Sequence, residues 1–300
     1  MAVCYDKKDS RNQQMWYIFD FFGMNDRVLM HVNRRNIFVC KILSLFHRKT
    51  HYKRLFIGDF RGFYDFILGT RLVADGSDIV YLDDGNITLS LLNNVFTEPM
   101  ELSRKEFVEK VASKRRFVVN KNLLTIYEKI FNPKYNINVL NLNIILNDYK
   151  KQCPQKEAII IVGTCLSRYC EPLEIPAEQF VEKLDSLVKK LKKEMNLPII
   201  YIPHGRDESE YAKKICKTYD IGFMRPKMMI EMELLDQGIL PCEIYGFTSS
   251  ALYNLKKIYP QAKVVNILYH ACDNKFYEEY SMMSDYYQQN GIEFVKEEIV

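Results

Sequence analysis

Apolar positions change their spacing along this chain in a way that separates strands from helices. Residues 156–163 (KEAIIIVG) form a continuous apolar run ending in Gly, the pattern of a strand buried on both faces. Over 176–196, Phe180, Val181, Leu184, Leu187, Val188 and Leu191 recur at helical spacing behind an initial proline, which predicts an amphipathic helix. Further strands are predicted at 198–203 (PIIYIP), 242–247 (CEIYGF) and 263–268 (KVVNIL), with helices at 208–220, 226–238 and 249–259. Strands alternating with helices specify a parallel sheet covered on both faces.

The first half repeats the theme less cleanly. Residues 54–58 (RLFIG) and 78–82 (DIVYL) predict strands, 63–72 a helix, and 100–115 a polar amphipathic helix. The Asn-rich stretch 132–147 alternates enough for a strand plus a connection, and 15–22 (MWYIFDFF) is the first convincing apolar segment. A polar, proline-containing stretch at 148–155 (DYKKQCPQ) marks a boundary. The expected fold class is therefore α/β, with two Rossmann-like parallel-sheet domains over 1–152 and 153–300.

Composition narrows the class. With 300 residues, 48% hydrophobic and 27% charged, the chain is an ordinary globular protein, which excludes disorder and a small disulfide scaffold. The formal net charge of +4 is uneven: residues 1–150 hold 23 Lys+Arg against 16 Asp+Glu, and the remainder 19 against 22. A basic first half suits an anionic partner, but it falls short of a nucleic-acid signature, and no nucleic-acid partner is expected. Eight cysteines without a CxxC argue against both a zinc site and a disulfide framework. The polar start MAVCYDKKDS lacks a secretory core, and the longest apolar run, 37–46, contains Lys41 and is too short to span a bilayer. A cytoplasmic chain with reduced thiols is expected. Arg34, Arg35, His47, Arg48 and Lys49 flank that run and would suit an amphipathic helix against anionic lipid; a core helix with solvated ends is the plainer reading.

In open parallel sheets ligands bind beyond the carboxyl ends of the strands, so the residues directly after each predicted strand carry the chemistry. Asp83-Asp84-Gly85 follow the strand at 78–82. Two crowded carboxylates before a turning Gly suit a general base, while Asp-Gly is also a common surface turn. His204-Gly205-Arg206 follow the strand at 198–203. A His with an Arg two positions on suits stabilisation or protonation of a phosphate leaving group, and loop packing or helix capping is the alternative. Thr248-Ser249-Ser250 lie between the strand at 242–247 and the next helix. Hydroxyls and N–H groups at a helix N-terminus make a phosphate cradle, and they equally make an ordinary N-cap.

Asp-Asp-Gly, then a strand ending in Pro-His with a basic residue beyond, then a Ser-Ser pair 45 residues after the His, resembles the bacterial sialyltransferases. In particular the chain is similar to glycosyltransferase family 52, the lipooligosaccharide and capsule sialyltransferases, which share these motifs with family 80 and the bacterial polysialyltransferases. The likeness runs from about Arg54 to Leu268 and includes Gly163 and the acidic helix at 226–238. It implies a GT-B fold, with the active site between two Rossmann-like domains, an acceptor-side first domain and a nucleotide-sugar-binding second one. It also implies a single inverting displacement that moves sialic acid from CMP-sialic acid to a glycan acceptor hydroxyl.

By the same resemblance Asp83 is the general base, with Asp84 and Gly85 shaping its turn. His204 stabilises and protonates the departing CMP phosphate, with Arg206 as the basic residue beyond it. Ser249 and Ser250, beside Thr248, bind that phosphate. A helix glutamate, Glu231 in preference to Glu233, holds the cytidine ribose. No metal or other cofactor is expected, and the chain has no DxD triplet to hold a divalent ion. Two departures from the family are Gly205, where members carry Pro, and the polar N-terminus. The readings left open are a different nucleotide sugar as donor, an inactive relative that binds glycan or protein, peripheral contact with an anionic membrane, and a homodimer.

Overall fold

The structure is a computed structural model that describes residues 2–4, 28–31, 54–57, 78–83, 85–86, 88–89, 122–128, 130, 136–142, 155–207 and 210–299. The helices expected at 63–72 and 100–115, the apolar segments 15–22 and 37–46, and residues 148–154 of the boundary stretch lie outside the described residues. The chain divides into two compact units, Met1–Asp6 with Met24–Asn141, and Lys7–Gly23 with Leu142–Val300. Both are built on parallel sheets, as the alternation of elements requires.

In the first unit, β1 (Ala2–Cys4) and β2 (Val28–His31) form a short parallel pair. A four-stranded parallel sheet runs in the order β3 (Arg54–Ile57), β4 (Asp78–Leu82), β5 (Asn122–Thr125), β6 (Asn136–Val139). Strand β5 carries Leu123 and Leu124 as its whole apolar signal and was not expected from the sequence. It lies against β4 with Leu82 opposite Leu124, so Asp83 leaves β4 beside Thr125, the last residue of β5.

The second unit contains a six-stranded, fully parallel sheet in the order β12-β11-β10-β7-β8-β9. Its strands are β7 (Lys156–Val162), β8 (Ile199–Ile202), β9 (Gly222–Phe223), β10 (Ile239–Gly246), β11 (Lys263–His270) and β12 (Glu293–Glu298). Ala158–Val162 are all buried, which is why β7 reads as an unbroken apolar run rather than an alternating one. Six helices are described: α1 (Leu166–Tyr169), α2 (Ala177–Glu194), α3 (Tyr211–Tyr219), α4 (Ile230–Asp236), α5 (Ser250–Ile258) and α6 (Lys275–Gln289). Helix α2 buries Phe180, Leu184, Val188 and Leu191, one residue per turn along the face the periodicity predicts.

One expected helix is corrected. The segment 226–238 is helical only over Ile230–Asp236, because Glu233 reaches back and accepts from the N–H groups of Lys227 and Met228 at 2.8 and 3.3 Å. Those bonds hold 227–228 as a loop and give its buried amides partners.

From β7 the chain winds outward through β8 and β9, then returns to the other side of β7 and winds outward through β10, β11 and β12. The winding direction therefore reverses between β7 and β10, and an open α/β sheet splays its connections apart at such a point and opens a crevice there. Beneath it lies an aromatic core. Phe247, the first residue after β10, packs on Phe180 with ring centroids 4.9 Å apart, and also on Tyr169 and Tyr269. Such pairs add about 0.5–1.5 kcal/mol each beyond burial and fix the root of the loop that follows.

Candidate functional site

At the end of β4 the Asp83 carboxylate is held from three directions. Oδ1 accepts from the Gly85 N–H at 2.7 Å, while Oδ2 accepts from the Thr125 hydroxyl at 2.6 Å and the Ile126 N–H at 3.1 Å. The Asp83 N–H donates to the Leu124 carbonyl, extending the β4–β5 ladder by one residue. Gly85 takes φ 65°, the left-handed conformation that glycine adopts without penalty, so the sequence turns where the motif expects it. A carboxylate fixed by two neighbouring strands is a built feature, which sets Asp83 apart from a surface Asp-Gly turn. Asp84 lies outside the described residues.

In the second unit, β10, β7 and β8 are in register at their ends, with Gly246 opposite Val162 and Val162 opposite Ile202. Gly163, Pro203-His204 and Phe247-Thr248 therefore all leave the sheet at one level around the reversal point. Two strand spacings separate the β8 and β10 loops, about 10 Å. The structure thus brings Gly163, His204, Arg206, Thr248, Ser249 and Ser250 to a single end of one sheet.

Gly163 lies where any side chain would collide. A Cβ there would overlap the Tyr201 ring, 2.6 Å from Cζ. The Tyr201 hydroxyl meets the Tyr211 hydroxyl at 3.2 Å, and Tyr211 also donates to the Thr164 carbonyl. Burial pushes both phenols up from their ordinary values, so they stay neutral under the β7 loop. Gly163→Ala is expected to destabilise the unit by about 1–3 kcal/mol through overpacking, read as a lower urea midpoint at unchanged slope.

His204 opens a turn closed by the Asp207 N–H donating to its carbonyl at 2.9 Å, and Arg225 donates to the Asp207 carbonyl at 2.6 Å. The His204 Nδ1 accepts from the Arg206 N–H at 3.2 Å. In a neutral ring that bond places the proton on Nε2, which makes the side chain a donor at its far nitrogen. A Cβ at Gly205 would meet nothing within 4 Å, so the turn stands without any steric demand for glycine. The other described imidazole at a strand end, His270, is engaged differently. Its Nδ1 lies 2.6 Å from Glu298 and its Nε2 2.9 Å from Asp273, and the two carboxylates raise its pKa. Both nitrogens tie β12 and the β11–α6 loop together.

The Thr248 corner is strained. A β-branched residue at φ 41° is an outlier that costs of order 1–3 kcal/mol and persists only where the surroundings impose it. The imposing group is Asn266 on β11, buried completely. Its Oδ1 accepts from the Thr248 N–H at 2.7 Å, and its Nδ2 donates to Ser284, which donates to the Tyr280 carbonyl. Thr248 thus spends its amide on the scaffold, and the cradle falls to the residues after it. Ser249 is the N-cap of α5 and accepts from the Ala251 N–H at 3.3 Å. Its neighbour Ser250 opens the nine-residue helix; the Ala251 and Leu252 N–H groups donate to the Ser249 hydroxyl and carbonyl, and this first turn carries the positive end of the helix dipole.

The two candidate glutamates separate. Glu233 is committed to the 227–228 loop and to Gln237. Glu231 instead meets Asn254 of α5 at 2.5 Å. Asn254 stands four residues after Ser250, on the same helix face, which places the Glu231 carboxyl about one helical turn from the cradle. Burial raises the Glu231 pKa, against the opposing pull of the Asn254 donor. Asn254, Asn266 and Thr125 escaped sequence reasoning because an isolated amide or hydroxyl carries no motif; only the preceding strand ends pointed towards them.

No protein-family profile matches the chain, and no curated protein matches it in sequence. Among solved structures it is similar to an α/β-galactoside α-2,3-sialyltransferase from the luminous marine bacterium Photobacterium phosphoreum. The two superpose with a TM-score of 0.55 at 12% identity, over 97% of this chain and 96% of that one. The chain therefore has the α/β, GT-B-like fold of a bacterial sialyltransferase.

Proposed function

We propose that this protein is an inverting glycosyltransferase of the family 52 type, moving sialic acid from CMP-sialic acid to a glycan acceptor hydroxyl. The observation that carries the reading is the convergence of His204, the Ser249–Ser250 helix start and Gly163 at the reversal point of the second sheet. An anionic leaving group is what such a place suits: a helix N-terminus to hold phosphate and an imidazole donor beside it. The fold shared with the Photobacterium enzyme and the order of the motifs support sialic acid as the sugar. Since that enzyme acts on galactosides, a galactoside is the first acceptor to test.

In the proposed reaction the acceptor hydroxyl gives its proton to Asp83 while its oxygen bonds to the anomeric carbon. The bond from that carbon to the phosphate oxygen breaks, and CMP leaves as a phosphate monoester whose charge His204 and the α5 N-terminus stabilise. The first unit, which carries Asp83, serves the acceptor, and the second, which carries His204 and the α5 N-terminus, serves the donor. No step calls on a metal.

A thermal-shift panel of CMP, UDP, GDP and NAD in EDTA tests the donor. CMP at 100 times its Kd adds about 2.7 kcal/mol of stability, a rise of roughly 4–8 °C. A shift with UDP alone would replace the donor, and no shift with any nucleotide would favour an inactive relative. Ser249→Ala combined with Ser250→Ala is expected to weaken CMP binding about tenfold or more, through loss of the cap and of the hydroxyl contacts. Titration calorimetry reads that loss directly.

A further inference from the structure

We infer that Thr125 is the positioning residue for the base at Asp83, and that it leaves Oδ1 as the oxygen that takes the acceptor's proton. The inference rests on the reading of Asp83 proposed above. Thr125 stands on β5, 42 residues from Asp83 in sequence and fully buried, and its hydroxyl donates to Asp83 Oδ2 at 2.6 Å. The same hydroxyl oxygen accepts from the Tyr127 N–H at 3.2 Å. That second bond orients it: with the Tyr127 N–H directed at one of its lone pairs, the hydroxyl points its hydrogen away from that donor and at the carboxylate. A buried hydroxyl with both its donor and acceptor directions satisfied has one orientation, so it fixes the carboxylate it touches.

The two carboxylate oxygens are treated unequally. Among the described residues, Oδ2 accepts two bonds, from Thr125 and the Ile126 N–H, and Oδ1 accepts one, from Gly85. A carboxylate oxygen has about two lone-pair directions, so Oδ2 is filled and Oδ1 retains one. In the proposed displacement, the acceptor O–H bond breaks, its proton passes to Oδ1, the new C–O bond forms at the anomeric carbon, and the leaving phosphate takes the electron pair of the broken C–O bond. Thr125 touches neither substrate; it acts by holding Asp83 so that this lone pair stays aimed.

Three variants test the inference, each checked for its unfolding midpoint and CMP affinity. Thr125→Val removes the donor at near-constant volume, Thr125→Ala removes it without burying a second methyl, and Thr125→Ser keeps it. The valine variant is expected to lose about ten- to a hundredfold in kcat, with KM for the donor unchanged. Serine is expected to recover most of the loss, and alanine carries the measurement if valine does not fold. Placed in the Asp83→Asn background, Thr125→Val is expected to cost nothing further, because it acts only through that carboxylate. Wild-type kcat in folded valine or alanine variants would overturn the inference, as would serine failing to rescue, or a full additional loss in the Asp83→Asn background. Those results leave the base assignment standing, whereas full turnover in Asp83→Asn alone removes the base assignment itself.

Discussion

Replacing Asp83 by Asn is expected to lower turnover by about 10²–10⁴, the range a positioned general base supplies, while CMP affinity stays unchanged. The effect follows from how the carboxylate is held. An amide at this position must turn its carbonyl towards the two donors on the Oδ2 side, the Thr125 hydroxyl and the Ile126 N–H. Its NH₂ then falls at the Oδ1 position, where a lone pair is needed and a donor stands instead. Among the described residues the fold loses only the Gly85 contact, so the variant is expected to stay folded and to bind nucleotide. A steady-state assay beside a CMP titration separates the two effects. Turnover at the wild-type rate would remove Asp83 from the mechanism.

His204→Ala is expected to cost about 10²–10³ in kcat, the cost of removing one preorganised donor from a developing anion. The loop itself is built to survive the change. The turn is closed by backbone, Asp207 N–H to His204 carbonyl, and is anchored by Arg225, so it keeps those bonds when the imidazole and its contact with the Arg206 N–H are deleted. CMP affinity is expected to fall far less than kcat, because the departing phosphate gains charge in the transition state and the interaction strengthens there. An equal loss in kcat and in CMP affinity would instead make His204 a ground-state binding residue. His270→Ala serves as the contrasting variant, since its imidazole ties β12 to the sheet and its loss should appear in stability and not in kcat.

The second unit was legible because its strands are buried on both faces and carry little but apolar residues. Residues 156–163 became Lys156–Val162, 198–203 became Ile199–Ile202, and 263–268 lengthened to Lys263–His270. Strand β10 begins three residues earlier than expected, at Ile239, because it takes Pro241 into an irregular stretch where the register against β7 shifts. The chain beyond 268 went unread. Helix α6 buries Tyr277, Met283 and Tyr287 beside buried Glu279 and Ser284, and tyrosines and acids mixed along one face blur its stripe. Strand β12 is a charged edge, EFVKEE, with almost nothing buried.

The candidate site was legible wherever a polar residue follows a strand directly, since parallel sheets send such residues to one end. What supports those residues was not legible. Thr125 holds Asp83 from 42 residues away, Asn266 holds Thr248 from 18, and Asn254 meets Glu231 from 23. Each is a tertiary contact made by a side chain common in any sequence, and only the register of strands and the packing of helices brings the partners together. The choice between Glu231 and Glu233 shows the same limit. Both are acids on one short helix, and they are told apart by a loop amide on one side and a neighbouring helix on the other.

Release of CMP from CMP-sialic acid by the purified chain, in EDTA and with a galactoside acceptor, tests the central claim most directly. The account predicts release coupled to formation of one sialylated product of inverted anomeric configuration, with the Asp83→Asn protein reduced to near background. No release from CMP-sialic acid, with turnover of another sugar nucleotide under the same conditions, would contradict it.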